Sequence, residues 1–220
     1  MSGTEVLVAC QAAALTFGRG PTAVVAVHGT DLSIQPGDRL AIVGPSGSGK
    51  SSLLHLLAGL ERPTSGAVSW PGLDGNADIG LVFQADSLVP ALDVAENTAL
   101  PLVLAGRSEA QTRRPVSEAL GLVGATDLAE RLPEEISGGQ AQRVAVARVL
   151  AQEPRLILAD EPTGRLDHAT GTRALDALLT AADRTGAALV VTTHDPAVAA
   201  RLTVRRAMRD GRLLAPEDTP

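Results

Sequence analysis

The octapeptide Gly44-Pro45-Ser46-Gly47-Ser48-Gly49-Lys50-Ser51 satisfies every fixed position of the pattern G-x-x-x-x-G-K-[ST]. It follows an apolar run, Leu40-Ala41-Ile42-Val43, and leads into a segment of helical character, 51–58. A strand must therefore end, turn tightly around an anion and open a helix. Glycines at 44, 47 and 49 let successive backbone N–H groups point inward with no Cβ in the way. The helix adds unpaired amides and the positive end of its dipole. Lys50 brings a positive charge to the β- and γ-phosphates of a nucleotide, and the Ser51 hydroxyl is a hard oxygen ligand for Mg2+. His55, one turn into that helix, reads as a packed or solvated helical histidine.

The rest of the chain must supply a frame for this loop. Its 220 residues, 45% hydrophobic and 20% charged, are enough for a filled core and argue against global disorder. With 19 basic against 25 acidic residues the net charge is −6, which disfavours a nucleic-acid partner but leaves room for one small-anion site. Two Phe, one Trp and no Tyr leave almost no platform for stacking bases. A lone cysteine, Cys10, excludes an internal disulfide and a cysteine zinc cluster, and the four histidines lack ligand spacing. No apolar run approaches the roughly 18–20 residues that cross a bilayer, and no signal peptide is read at the N-terminus. The expectation is a soluble chain in a reducing compartment, with any membrane role peripheral.

Strands are expected at 5–9, 39–43, 80–83, 156–159 and 187–193, several of them apolar throughout as in a buried parallel sheet. Val116, Ala119, Leu120 and Val123 mark one amphipathic helix, and Leu175, Leu178, Leu179 and Ala182 another. Alternating strands and helices imply an α/β fold with a mostly parallel sheet. From 85 to 136 the strand signal vanishes, leaving helices punctuated by Pro90, Pro101, Gly106 and Pro133, as in a helical subdomain beside the sheet. The stretch 201–212 holds five arginines against one acid, Asp210. It reads as a solvated strand edge, with a membrane or acidic-partner patch as the alternative.

The run 156–159 ends in Asp160 and Glu161, at the strand edge where parallel sheets bind ligands. There Asp160 is placed to hold Mg2+, and Glu161, projecting the opposite way, to polarise a water in line with the γ-phosphate. Against this stands the plainer reading that both acids cap the turn before Pro162. His194 ends another apolar run and lands at the same edge, where it could bond the γ-phosphate or position Glu161. Asp195 then caps the next helix. Ser137-Gly138-Gly139-Gln140 precedes a helix expected at 141–151, whose Val144, Val149 and Leu150 pack while Arg143 and Arg148 reach outward. That turn reads as a second anion cradle, with a simple N-cap turn as the alternative. One nucleotide cannot easily use two cradles of one domain, so the second suits a nucleotide held by another copy.

Assembled in this order, the motifs resemble the ATPase subunits of ATP-binding-cassette (ABC) transporters over nearly the whole chain. Residues 44–51 match the phosphate loop, Gln84 the glutamine of the Q-loop, and 136–140 the signature motif. Leu156 to Asp160 match the acidic strand, Glu161 the catalytic glutamate, 164–167 the D-loop and His194 the switch histidine. Within the family, the stretch from Asp160 to Gly164, Val89-Pro90, Glu96-Asn97 and Leu100-Pro101 look most like the lipoprotein-releasing and macrolide-export group.

The resemblance implies a P-loop NTPase core with an antiparallel β portion and a helical subdomain, in one domain spanning 1–220 (core 1–84 and 137–220, helical part 85–136). It implies that two copies close head to tail around two ATP molecules. The phosphate loop of one then faces Ser137, Gly138, Gly139 and Gln140 of the other. Gln84 would sense Mg2+ and the γ-phosphate, Ser51, Gln84 and Asp160 would hold the metal, and Asp167 would bridge the sites. The chain would work as a dimer on an integral membrane permease, peripheral at the cytoplasmic face of the cell membrane. Three departures stand out. Phe17 is the one candidate for the adenine-stacking position usually held by Tyr, Arg165 replaces a commoner Asn or Ala, and 66–84 is short and lacks a connecting helix. The competing expectation is an ABC-type regulatory ATPase uncoupled from transport, for example linked to division. A P-loop kinase has no use for residues 137–140.

Overall fold

The computed structural model describes residues 5–84 and 87–215. The chain opens with β1 (Val8–Phe17), β2 (Val24–Ile34), β3 (Arg39–Val43), α1 (Lys50–Leu57), β4 (Ser65–Ser69) and β5 (Ile79–Val82). Two helices follow, α2 (Val94–Leu104) and α3 (Glu109–Leu122), and then α4 (Gly138–Gln152) and β6 (Leu156–Asp160). It closes with α5 (His168–Thr185), β7 (Ala188–Thr193), α6 (Pro196–Ala199), β8 (Val204–Arg209) and β9 (Arg212–Leu213). The strands form a six-stranded sheet, β5-β6-β7-β3-β8-β9, parallel up to β8, and a three-stranded antiparallel sheet, β2-β1-β4.

The central strands are apolar except at their ends (Arg39, Asp160, Thr192 and Thr193) because both of their faces are covered. Leu40, Ile42, Leu156, Leu158, Ala188 and Val190 face α1 and the antiparallel sheet, in a core that includes Leu53, Leu54, Leu56 and Leu57. Ala41, Ile157, Ala159, Leu189 and Val191 face the opposite core, built with α2 to α6. Even and odd residues thus separate to the two faces, as the two-residue period of a strand requires. Burying each leucine of α1 contributes about 1.5–3 kcal/mol, so the phosphate-loop helix is anchored by packing rather than by intrinsic helicity.

The strand expected at 5–9 begins instead at Val8 and runs on to Phe17. A bulge explains why the pattern did not show it. Burial alternates at Val8 and Cys10, slips across Gln11 and Ala12, and resumes out of phase at Ala13 and Leu15. Ala12 takes a left-handed φ of 46°, and its amide donates to Asp31 Oδ1 at 2.8 Å. A Cβ on Gly66 (φ +72°) would collide with the Ala12 carbonyl, so β4 can pair here only through glycine. The same slip leaves β2 buried at Val27, Thr30 and Ile34, a spacing that resembles a helix. Residues 66–84 hold, besides the strands, one 3-10 turn at Asn76–Asp78 and no α-helix.

Between 87 and 136 the described residues hold α2, α3 and short 3-10 turns, and α2 and α3 pack on α4. Asn97 fastens this region: fully buried, it accepts from the Val89 amide at 2.7 Å and donates to the Leu92 and Asp93 carbonyls at 2.8 and 3.0 Å. Asp93 and Glu96 close a reciprocal cap on α2.

Two expectations for α4 are corrected. It begins at Gly138 rather than 141, because Ser137 and Gln140 form a capping box that nucleates the helix immediately. Arg143 and Arg148 do not reach outward. Arg143 donates to the Val123 and Gly124 carbonyls and Arg148 to Ser87, so both guanidinium groups satisfy acceptors of neighbouring loops.

Cys10 of β1 is buried in the core that also holds the leucines of α1, and burial pushes its thiol up to about 11, with Asp31 adding to the shift. The thiol form therefore persists in the folded chain while the unfolded chain ionises, so stability falls as pH rises from about 9 toward about 11. At pH 8 a maleimide is expected to label Cys10 at least about 100-fold more slowly in buffer than in urea, read by mass spectrometry. Equal rates would mean that the β1 layer is not closed.

Candidate functional site

Register brings the chemistry to one edge. Val43 pairs with Thr193 and Asp160 with Thr192, so β3, β6 and β7 end level, at strand spacings of about 4.8 Å. Gly44, Glu161 and His194 are the next residues along their chains and meet there.

The phosphate loop is pressed from behind by two strands. A Cβ on Gly44 would strike the Met208 carbonyl of β8, and one on Gly49 the Ala26 carbonyl of β2. Gly47 and Gly49 take φ of +79° and +100°. Glycine at 44 and 49 is thus demanded by close approach, and at 47 and 49 by handedness. Asp210 and Gly211, at φ 47° and 74°, make the two-residue turn between β8 and β9. The Gly211 amide donates to Ser48 O at 3.0 Å, and its carbonyl accepts from His28 N at 2.8 Å.

Lys50 is 5% exposed, and its Nζ donates to the carbonyls of Gly44 (2.9 Å) and Pro45 (3.0 Å). The same nitrogen lies 3.6 Å from Glu161 Oε1. The other carboxylate oxygen of Glu161 is 2.6 Å from His194 Nδ1. An ionised carboxylate only accepts, so the bonding proton sits on Nδ1, and on a neutral ring Nε2 is then an acceptor, suited to a donor such as a water. Glu161 is also held by its backbone, at a left-handed φ of 47°, its amide donating to Thr192 O at 3.1 Å. Thr192 turns its hydroxyl to Asp160 Oδ1, and Asp160 is buried. One threonine therefore positions both acids, a role no sequence reading assigned. Its signal was a polar pair, Thr192-Thr193, at the end of an otherwise apolar strand.

These groups border an open cleft of about 400 Å3 lined by Ser46, Gly47, Lys50, Ser51, Gln84 and Glu161, with Val24 to Ala26 on one wall and Asp210-Gly211 on another. Asp210 and the valines were not among the expected site residues. Phe17, 45% exposed, pairs with Val24 at the end of β1, beside that wall. Pro45, Ser48 and Gly49 lie within the loop, and the buried Ser48 Oγ has no hydrogen-bond partner among the described residues. An unmet buried hydroxyl costs about 1–3 kcal/mol, so the loop is more comfortable with a polar ligand than without one. His55 is the packed kind of helical histidine, its ring 6.3 Å from that of Phe83.

The second glycine turn lies elsewhere. None of residues 137–140 lines the cleft. A Cβ on Gly138 would meet nothing within 4 Å, while Gly139 touches Leu166. The structure thus brings Gly44 to Ser51, Gln84, Asp160, Glu161 and His194 together and keeps Ser137 to Gln140 apart from them. Asp167 accepts from Thr170 N at 3.0 Å to cap α5, and hydrogen bonding from the Thr170 side chain, then from its amide, holds the carboxyl below the usual carboxylate range. No group of three or more metal-binding His, Cys, Asp or Glu occurs among the described residues. Ser51, Gln84 and Asp160 instead offer hard oxygens beside a phosphate cradle, the donor set that Mg2+ accepts when substrate completes its shell.

Comparison with known proteins agrees with this geometry. The family model described as "ABC transporter" matches residues 27–164. The lipoprotein-releasing system ATP-binding protein LolD of Legionella pneumophila (strain Lens) is 39% identical over 225 aligned positions, covering 97% of this chain and 99% of that protein. LolD of Shewanella oneidensis is 38% identical, covering 97% and 98%. A dimeric ATP-binding cassette in a post-hydrolysis state, bound to ADP and Pi, superposes with a TM-score of 0.87 at 35% identity, covering 94% of this chain and 97% of its own. No helix among the described residues is long and apolar enough to cross a membrane.

Proposed function

The chain belongs to the ABC transporter family, as an ATP-binding and ATP-hydrolysing subunit, and from that premise we propose that it powers lipoprotein release as a head-to-tail dimer on a membrane permease. The single observation that carries the dimer is the separation of the two anion-binding turns. The phosphate loop has its own cleft, and Ser137-Gly138-Gly139-Gln140 caps α4 outside it. A second copy is the natural source of a nucleotide for that turn. The dimeric relative bound to ADP and Pi supports this reading, and the LolD relatives support lipoprotein as cargo.

In the proposed site Gly44 to Ser51 cradle the phosphates and Lys50 exchanges its carbonyl contacts for phosphate oxygens. Glu161 accepts a proton from the attacking water, and His194 holds Glu161 in place through Nδ1. Ser51, Gln84 and Asp160 would hold Mg2+, which when bound neutralises charge on the phosphates. Phe17 with the Val24 wall offers an apolar platform for adenine. The chain forms one domain over 1–220, with 85–136 as its helical part. There Val103 and Leu104 of α2 stand exposed, Leu104 at 78%, and supply apolar surface for a permease. On this reading the subunit works peripherally at the cytoplasmic face of the cell membrane.

Mixing two inactive variants tests the dimer. Lys50→Ala damages only the cleft and Ser137→Arg only the distal turn. Each alone is expected to retain below about 5% of ATPase activity. A mixed dimer has one site assembled from two intact halves, so combining them is expected to restore activity to about a quarter of the unmodified level. Failure to restore any activity, or full activity of Ser137→Arg alone, would remove the shared site.

A further inference from the structure

We infer that α4 clamps the chain on both sides of Gln84, with Gln142 and Arg148 as positioning residues that set where its side-chain amide meets the nucleotide cleft. Gln142, 3% exposed, donates from Nε2 to the carbonyl of Phe83 at 3.3 Å, the residue immediately before Gln84. Arg148 donates to Ser87 twice, from Nη1 to its carbonyl at 2.7 Å and from Nη2 to its hydroxyl at 2.6 Å. Gln84 itself is exposed and lines the cleft with Ser51 and Glu161. Its position is thus taken from α4 more than from β5, which has already ended at Val82.

The choice of arginine is chemical. A planar guanidinium spans a carbonyl and a hydroxyl of one residue at once, and a lysine ammonium does not reproduce that fork. Arg148 is half-buried, and burial holds its guanidinium below its ordinary range, so its placement carries a cost that the two bonds to Ser87 offset. The same helix starts at the Ser137-Gln140 turn. A movement imposed on that turn is therefore delivered to Gln84 through one rigid rod, without passing through the sheet. This rests on the proposal that Gln84 meets Mg2+ and the γ-phosphate.

The test uses the full chain and a non-hydrolysable ATP analogue, titrated in EDTA and again in Mg2+, with the thermal midpoint recorded for each variant. Gln84→Ala is expected to reduce the Mg2+-dependent gain in affinity about tenfold, Arg148→Met and Arg148→Lys about five- to tenfold, and Ser87→Ala about two- to threefold. Affinity in EDTA should stay within about twofold for Arg148→Met, Arg148→Lys and Ser87→Ala, since neither Arg148 nor Ser87 lines the cleft. The pair Gln84→Ala with Arg148→Met is expected to be no worse than Gln84→Ala alone, because a positioning residue acts only through its client. Additive losses, or a lowered thermal midpoint with an unchanged Mg2+ gain, overturn the clamp and leave the Gln84 assignment standing. An unchanged Mg2+ gain in Gln84→Ala overturns both. If Arg148→Met does not fold, Ser87→Ala, which removes one hydroxyl, decides the matter by the same readout.

Discussion

Glu161→Gln is expected to bind ATP normally and to lose turnover by about 10²–10⁴-fold, the usual worth of a positioned general base. The amide keeps the shape of the carboxylate and its bond to the His194 side chain but takes no proton from water. ATP is then held without being cut, and the closed pair of chains should accumulate. Size-exclusion chromatography with ATP is expected to show a dimer for Glu161→Gln and none for the unmodified chain after turnover, while a phosphate-release assay reads the loss. A normal hydrolysis rate would mean that another group is the base. The neighbours of Glu161 make that outcome hard to accommodate, since Lys50 at 3.6 Å and His194 at 2.6 Å both converge on its carboxylate.

Lys50→Ala should act earlier, on binding itself. Hydrogen bonds to charged groups contribute about 1.5–3 kcal/mol, so ATP affinity is expected to fall by about 10- to 150-fold, read by titration of a fluorescent ATP analogue. A second loss is structural: the carbonyls of Gly44 and Pro45 forfeit their shared donor, and a modest drop in thermal midpoint should accompany the weaker binding. Lys50→Arg is not a rescue, because the space between two loop carbonyls fits a compact ammonium and not a planar fork. Unchanged affinity in Lys50→Ala would detach the loop from phosphate.

What the sequence revealed, and what it withheld, follows the reach of the interactions. The phosphate loop, the acidic strand end, the histidine at 194 and the capped turn at 137–140 are each set by neighbours within a few residues, so spacing alone exposed them. The strands buried on both faces were legible for the same reason, as continuous apolar runs. β1 and β2 were not, because the Ala12 bulge shifts the burial phase midway and Asp31 and Gly66, far along the chain, are what make it tolerable. The direction taken by Arg148 was equally hidden: α4 shows only an arginine on an apolar helix, and its partner Ser87 lies 61 residues away. Thr192 was passed over because its two acidic clients, Asp160 at the end of β6 and Glu161 just beyond it, lie far back along the chain.

The brace supplied by the Asp210-Gly211 turn bears on how the molecule is born. A growing chain holds the complete octapeptide long before the ribosome has made residues 204–213, yet β8 and the Gly211 amide that steady Ser48 come last. Until then the nascent polypeptide owns the recognition sequence without the strand and the amide that back it in the folded chain.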